Sequence, residues 1–320
     1  MRRVSKEEVN RDLGFGSVVA QESRQRLLNR DGSFNVARRG LNFWTSLSLY
    51  HRLLTMSWTK FLGLVTLSYL VANLVFALAY MACGPGALAS SPELTFRNEF
   101  LRAFFFSVET FATIGYGNII PTGPAAHLIV TIESLVGLLG FALATGLLFA
   151  RFSRPTAKII FSQQAIVAPY RDITAFEFRI TNARTNQIIE LEAKILFAQF
   201  EVDEGGKSVR RFYPLTLERD KVVFFPLSWT IVHPVDEASP LYGLTHEDLR
   251  RTDAEFLILL TGIDETFSQT VHARSSYKAD EVIWNARFAN VFNRPLENDL
   301  LTIDVRRIDA IEPIETSRNS

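Results

Sequence analysis

Phe104-Phe105-Phe106-Ser107-Val108-Glu109-Thr110-Phe111-Ala112-Thr113-Ile114-Gly115-Tyr116-Gly117 carries an apolar segment, too short to cross a bilayer, straight into a Thr-Ile-Gly-Tyr-Gly quintet. The apolar part reaches back to Phe100 and Leu101, and over 100–113 it is too hydrophobic for an ordinary loop. Such a half-length segment is tolerated at membrane depth only where protein or a water-filled cavity surrounds it, so the pattern predicts a re-entrant helix. The quintet that follows has the chemistry to hold a dehydrated cation. Backbone carbonyls stand in for the ion's water, and Gly115 and Gly117 accept conformations that let successive carbonyls face one way. Thr113 adds a hydroxyl, while Ile114 and Tyr116 are expected to project outward and pack against the preceding helix. The negative end of that helix's dipole, aimed at the same point, favours a cation there. A bare Gly-Tyr-Gly also occurs in surface turns; its place behind an apolar half-helix makes it specific.

On either side lie two longer apolar runs. Residues 61–82 contain no charge, and residues 128–150 contain only Glu133. Each is long enough to span a bilayer as a helix. Arg38, Arg39, Arg52 and Lys60 precede the first run, and Arg151, Arg154 and Lys158 follow the second, whereas the connector 83–127 offers only Arg97 and Arg102. The excess of flanking cations predicts that both termini lie in the cytoplasm of a cell-membrane protein. Ahead of the first run, Phe43, Leu47, Tyr50 and Leu54 share one face at helical spacing, which predicts an interfacial helix; a simple extension of the first span is the alternative.

Beyond residue 155 the pattern changes to alternation. Strand-like runs fall at 175–180, 188–200, 221–225, 229–233, 255–261, 268–273, 281–288 and 300–305, and many short strands between turns predict a β-sandwich. Thr245-His246-Glu247-Asp248 has the pattern of a capping box for one short helix. The chain's zero net charge gives no reason to expect a nucleic-acid partner, and its one cysteine, Cys83, excludes an intrachain disulfide. His233, His246 and His272 are not at metal-ligand spacing, and no phosphate loop or nucleophile–base arrangement is present, so neither an enzyme nor an organic cofactor is expected. The first forty residues hold nine Lys and Arg against five Asp and Glu, and are expected to form a solvated tail. No short apolar run with a cleavage site marks a signal peptide at the start.

Taken with these features, the chain resembles the inward-rectifier potassium channel (Kir) family, in particular its prokaryotic, KirBac-type branch. The quintet differs by one methylene from the Thr-Val-Gly-Tyr-Gly loop of potassium channels, itself the standard case of carbonyl selectivity. Phe106-Ser107-Val108-Glu109-Thr110, Glu133-Ser134-Leu135-Val136-Gly137, Thr145-Gly146 and Ala150-Arg151-Phe152 are similar to that family's pore. Thr230-Ile231-Val232-His233, Asp236-Glu237, Ser239-Pro240-Leu241-Tyr242 and Arg274-Ser275-Ser276-Tyr277 are similar to its cytoplasmic signatures. The resemblance covers nearly the whole chain from about residue 40. It implies a homotetramer whose outer, re-entrant and inner helices enclose a pore, with an immunoglobulin-like cytoplasmic sandwich, dividing as 1–42, 43–153 and 154–320.

Several roles follow from that resemblance or from helical spacing. Thr113, Ile114, Gly115, Tyr116 and Gly117 are the expected selectivity filter, with K+ held at the first four and Glu109 supporting the filter from the half-helix. Leu138, Phe141, Thr145 and Phe149 share a face of the inner helix and are expected to line or gate the pore, with Gly137 and Gly146 as hinges. Arg52, Arg151, Arg154 and Lys158 are candidates for binding anionic lipid or phosphoinositide. Glu190, Ser268 and Gln269 are candidates for the cytoplasmic pore, where polyamine or Mg2+ block would act. Phe141 stands where strongly rectifying relatives carry an acid, so weak or moderate block is expected. The paired extracellular cysteines of eukaryotic members are absent, as is a basic partner for Glu109 in 117–121, and Thr156 and Ala157 replace basic residues of lipid-activated relatives. A membrane-anchored sensor built on the sandwich is the alternative from another class, although it leaves the half-helix and quintet without a purpose.

Overall fold

A computed structural model describes residues 24–35, 49–90, 98–153, 158–184, 186–225, 227–293 and 302–314. The chain forms two compact units, one of Arg39–Arg154 and the other of Met1–Arg38 with Pro155–Ser320.

In the first unit, a short helix (Leu49–Thr55) is followed by an outer helix (Trp58–Ala82), a half-helix (Glu99–Phe111) and an inner helix (Gly123–Phe152). Met56 and Ser57 break the chain between the first two, so Leu49–Thr55 is a helix of its own and not an extension of the span. Phe43 and Leu47, on which the predicted amphipathic face partly rested, lie outside the described residues. The outer and inner helices are long and apolar enough to cross a membrane and keep most of their surface outside the chain's own core. The half-helix starts where the Asn98 side chain accepts from Phe100 N at 2.9 Å, capping one free donor. Its apolar face packs with the outer helix: Ala77, Tyr80, Leu88, Ala103, Phe106 and Ile119 form one buried cluster, with Tyr80 and Phe106 edge to face at 5.0 Å. Strand β1 (Leu88–Ser90) pairs antiparallel with β2 (Ile119–Pro121), just past the quintet.

The second unit holds two five-stranded sheets. One runs β11 (Gln269–Lys278), β10 (Glu255–Asp264), β6 (Ile188–Val202), β7 (Ser208–Pro214), with β8 (Lys221–Phe225) also on β6. The other runs β12 (Val282–Trp284), β4 (Ala165–Tyr170), β5 (Ile173–Asn182), β3 (Ile159–Phe161), with β9 (Ser228–Val235) on β5. Their facing sides meet in one core, where Phe176 of β5 stacks on Phe256 of β10 at 4.1 Å and Phe197, Ile180 and Leu260 are buried around them. A small antiparallel pair, β13 (Ala286–Phe288) with β14 (Ile311–Pro313), completes the unit. The expected strand at 300–305 is not formed among the described residues: Ile303 makes a single bridge to Phe292, and Val305–Arg307 is a 3-10 turn. The capping box is present, with Thr245 Oγ1 accepting from Asp248 N at 3.2 Å and the Asp248 carboxylate accepting from Thr245 N at 3.0 Å.

Residues 24–35 correct the expectation of a solvated tail. Leu27 and Leu28 are buried with Ala198, Phe212 and Leu257. Both their amides donate to the buried carboxylate of Glu255 at 3.1 Å, while Arg26 donates to Glu281 and to the Ser276 carbonyl. Two leucines in a charged segment have no readable period, so their burial was invisible in the sequence.

Candidate functional site

The half-helix ends at Phe111, and the next turn sets up the quintet. Thr113 N donates to Thr110 O at 3.0 Å, and Ile114 N to Glu109 O at 2.7 Å, with Gly115 N also reaching Glu109 O at 3.3 Å. Positive φ then occurs at every second residue: Thr113 at 56°, Gly115 at 62° and Gly117 at 76°, with Ile114 and Tyr116 between them on the ordinary side. In a uniform strand successive carbonyls point opposite ways; alternating the sign of φ reverses that flip, so consecutive oxygens can share one direction. Glycine takes this conformation freely, whereas Thr113, β-branched, bears a strain of about 1–3 kcal/mol. This backbone allows the carbonyls of the five residues to line one side of the loop.

Two expectations about the supports need adjusting. Tyr116 does not pack on its own half-helix: its side chain is 68% exposed in the single chain, and Ile114 is also exposed. Any packing for them has to come from outside this chain. Glu109 supports the quintet through its backbone carbonyl, and its half-buried carboxylate has no partner among the described residues.

Gly137 faces the same turn. A Cβ there would lie 2.5 Å from the Phe111 carbonyl oxygen, so glycine allows the inner helix to touch the end of the half-helix. That is a packing reason, apart from any hinge. At Gly146 a Cβ would meet nothing within 4 Å. Leu138, Phe141, Thr145 and Phe149 all present exposed side chains, Phe149 at 72%, so this face is uncovered within one chain.

Among the lipid candidates, Arg52 is exposed and lies with Lys60 along a groove of about 440 Å³ that Thr55, Met56 and Leu64 also line. Arg151 is placed differently from its expected role. Its guanidinium donates to the Leu53 carbonyl and, at 2.7 Å, to the Met56 carbonyl, and lies over the rings of Trp58 and Phe61. It ties the end of the inner helix to the junction of the short Leu49–Thr55 helix and the outer helix. Lys158 is exposed and belongs to the other unit, while Arg154 lies outside the described residues.

In the second unit Glu190 sits at a bulge, with φ of 54°, where the β6–β10 register slips between Thr261 and Ile263. A Cβ on Gly262 would meet Ile188 Cγ2 at 2.8 Å, which is why the opposing residue is glycine. The Glu190 carboxylate pairs with Lys221 of β8, a partner that its place in the sequence did not suggest. Ser268 and Gln269 lie exposed at the β10–β11 turn. Among the described residues no group of three His, Cys, Asp or Glu is placed to hold a metal.

Two membrane-length helices flanking a half-helix and a loop of alternating φ, followed by an all-β domain, define a pore-loop ion channel joined to a β-sandwich. Comparison with known proteins makes this specific. The family model for the inward rectifier potassium channel C-terminal domain matches residues 159–320, and that for ion channels matches residues 65–154. The chain is 45% identical over 279 residues to the inward rectifier potassium channel Kirbac3.1 of Paramagnetospirillum magnetotacticum, covering 87% of this chain and 92% of that one. It is 30% identical over 291 residues to the human ATP-sensitive inward rectifier potassium channel 11, covering 85% and 75%. The chain belongs to the inward rectifier potassium channel family, whose members are channels and not enzymes.

Proposed function

We propose that four copies of this chain form a pore that passes K+ selectively and passively across the cell membrane, with both termini in the cytoplasm. The observation that carries this reading is the alternation of φ at Thr113, Gly115 and Gly117, directly behind a half-helix held between the two spans. Thr113, Ile114, Gly115 and Tyr116 coordinate K+ through their carbonyls, and Ile114 and Tyr116, exposed in one chain, pack between copies. The gate is the inner-helix face of Leu138, Phe141, Thr145 and Phe149, with Phe149 at the cytoplasmic end as the apolar constriction that excludes hydrated ions.

Anionic lipid acts at the interfacial helix through Arg52 and the neighbouring Lys60, whereas Arg151 serves to join inner and outer helices. In the cytoplasmic part Glu190 faces polyamines or Mg2+ with its charge largely offset by Lys221, so block is weak or moderate. A flux assay in liposomes tests the reading: K+-loaded vesicles containing the chain release K+ in a Ba2+-sensitive way, and matched Na+ gradients do not dissipate. Equal Na+ and K+ flux would make the chain a poorly selective cation channel, and no flux above that of empty vesicles would return it to the anchored-sensor reading.

A further inference from the structure

We propose that Glu133 is an uncharged, proton-bearing carboxylic acid, and that in this form it is the positioning residue that holds the half-helix, and through it the selectivity filter, between the two long helices. The inference rests on the reading of the quintet as a filter only in its second half.

Glu133 is 0% exposed within a single chain, in the middle of the inner helix. Its two oxygens meet two hydroxyls. The Tyr80 hydroxyl, on the outer helix, donates to Oε2 at 2.5 Å, and the Ser107 hydroxyl, on the half-helix, touches Oε1. Ser107 Oγ has a second neighbour, Asn73 Oδ1 of the outer helix, at 3.0 Å. The orientation of Asn73 is decided by its other end: Nδ2 donates to the Tyr69 carbonyl at 2.8 Å, and a carbonyl can only accept, so the amide oxygen must face Ser107.

Counting protons then leaves one place unfilled. Three oxygen–oxygen contacts run in series: Tyr80 to Glu133, Glu133 to Ser107, and Ser107 to Asn73. Each needs one proton, and the two hydroxyls supply two. The Tyr80 proton serves Oε2. The amide oxygen of Asn73 has none to give, so the Ser107 proton must point to it. Ser107 Oγ therefore presents a lone pair to Glu133 Oε1, and only a proton on that carboxyl oxygen turns the contact into a bond. An ionised Glu133 would leave two bare oxygens facing each other, and would bury a charge that has no salt-bridge partner among the described residues.

The protonated form closes the chain Tyr80–Glu133–Ser107–Asn73–Tyr69 with every link donating one way, and it joins all three helices. Ser107 is two residues from Glu109, whose carbonyl receives Ile114 N and Gly115 N. A clamp on Ser107 thus sets the height of the carbonyl on which the filter begins.

Infrared difference spectroscopy on the full-length channel in lipid, with carbon-13 in its glutamates, reads the proton directly. At neutral pH the native chain is expected to show an isotope-shifted C=O band of an un-ionised carboxylic acid that is missing in Glu133→Gln. No such difference would overturn the proposal whatever the chain conducts. The positioning role is read from K+ over Na+ preference. Glu133→Gln, which offers an amide N–H where the carboxyl proton sits, is expected to keep that preference, whereas Ser107→Ala and Glu133→Leu lower it about five- to tenfold, the size of one buried hydrogen bond. If Glu133→Leu does not assemble, Tyr80→Phe takes its place with the same expected direction. Loss of preference in Glu133→Gln as deep as in the apolar variants would show that an ionised carboxylate is needed, and would overturn the proposal.

Discussion

At the scale of single residues, the glycines of the inner helix separate cleanly. Gly137 lies against the Phe111 carbonyl, where a methyl group would sit 2.5 Å from backbone, while Gly146 has open space. Overpacking a site of the first kind costs about 1–3 kcal/mol. Gly137→Ala is therefore expected to lower the thermal stability of the assembled channel and its K+ over Na+ preference, since the backbone that must yield leads into the filter. Gly146→Ala should leave the preference untouched. Equal behaviour of the two variants would contradict the packing role. Glu190 carries a second prediction. Its ion pair with Lys221 is half-exposed, a kind worth less than about 1 kcal/mol, yet it offsets most of the charge that a polycation meets. Lys221→Gln is expected to strengthen voltage-dependent spermine block and Glu190→Gln to weaken it. Block unchanged in both variants would remove Glu190 from the pore. The sequence could point to Glu190 as an acid on a strand; it could not show Lys221, which lies on another strand opposite it.

At the scale of elements, the inner helix carries near its end a phenyl ring, Phe149, exposed within its own chain and two residues before the Arg151 anchor. Phe149→Ala is expected to raise basal K+ flux several-fold and to open the cavity to cytoplasmic thiol reagents at a cysteine placed at Leu138. If neither changes, the constriction lies elsewhere, as in the β10–β11 turn at Ser268 and Gln269. Strand β9 makes a different prediction. His233 is buried, its Nδ1 meets the Thr216 carbonyl at 2.6 Å and its Nε2 meets Ser239 Oγ at 2.8 Å. The carbonyl can only accept, so Nδ1 carries the hydrogen and Nε2 accepts from Ser239, a neutral ring. Burial holds its pKa below the usual histidine value near 6.5. The unfolded chain therefore binds a proton first as pH falls. The stability that His233 contributes is complete above about 6.5 and drains away below it, down to the lowered folded value. The protection factors of β9 amides in the full chain, referred to the intrinsic exchange rate at each pH, should fall over that range, and His233→Gln should flatten the slope. A slope that survives the substitution would place the titration in another group.

At the scale of the whole molecule, the sequence was most legible where function is local. The quintet, the two spans and the half-helix are contiguous, and their apolar length alone distinguishes them. The sandwich was legible as a class because β5 and parts of β6 alternate and further short strand-like runs follow between turns. β3, β4 and β7 escaped, the first at three residues and the second because Ala165 to Ala168 are all buried and show no alternation. What stayed hidden was every contact between distant positions. Tyr80 meets Glu133 across 53 residues and Ser107 meets it across 26, while Glu255 holds Leu27 across 228. Pattern carries no information at such separations; only the fold brings these groups together. The same limit applies to Ile114 and Tyr116, whose exposure in one chain makes sense only within an assembly of several. The central claim, that Thr113 to Gly117 select K+, is tested most directly by the reversal potential of single channels in a planar bilayer with K+ on one side and Na+ on the other. The reversal potential is predicted to lie far toward the K+ limit in the native chain, with selective current abolished in Gly115→Val although the tetramer still assembles. A reversal potential near zero in the native chain, or selective K+ current surviving in Gly115→Val, would contradict it.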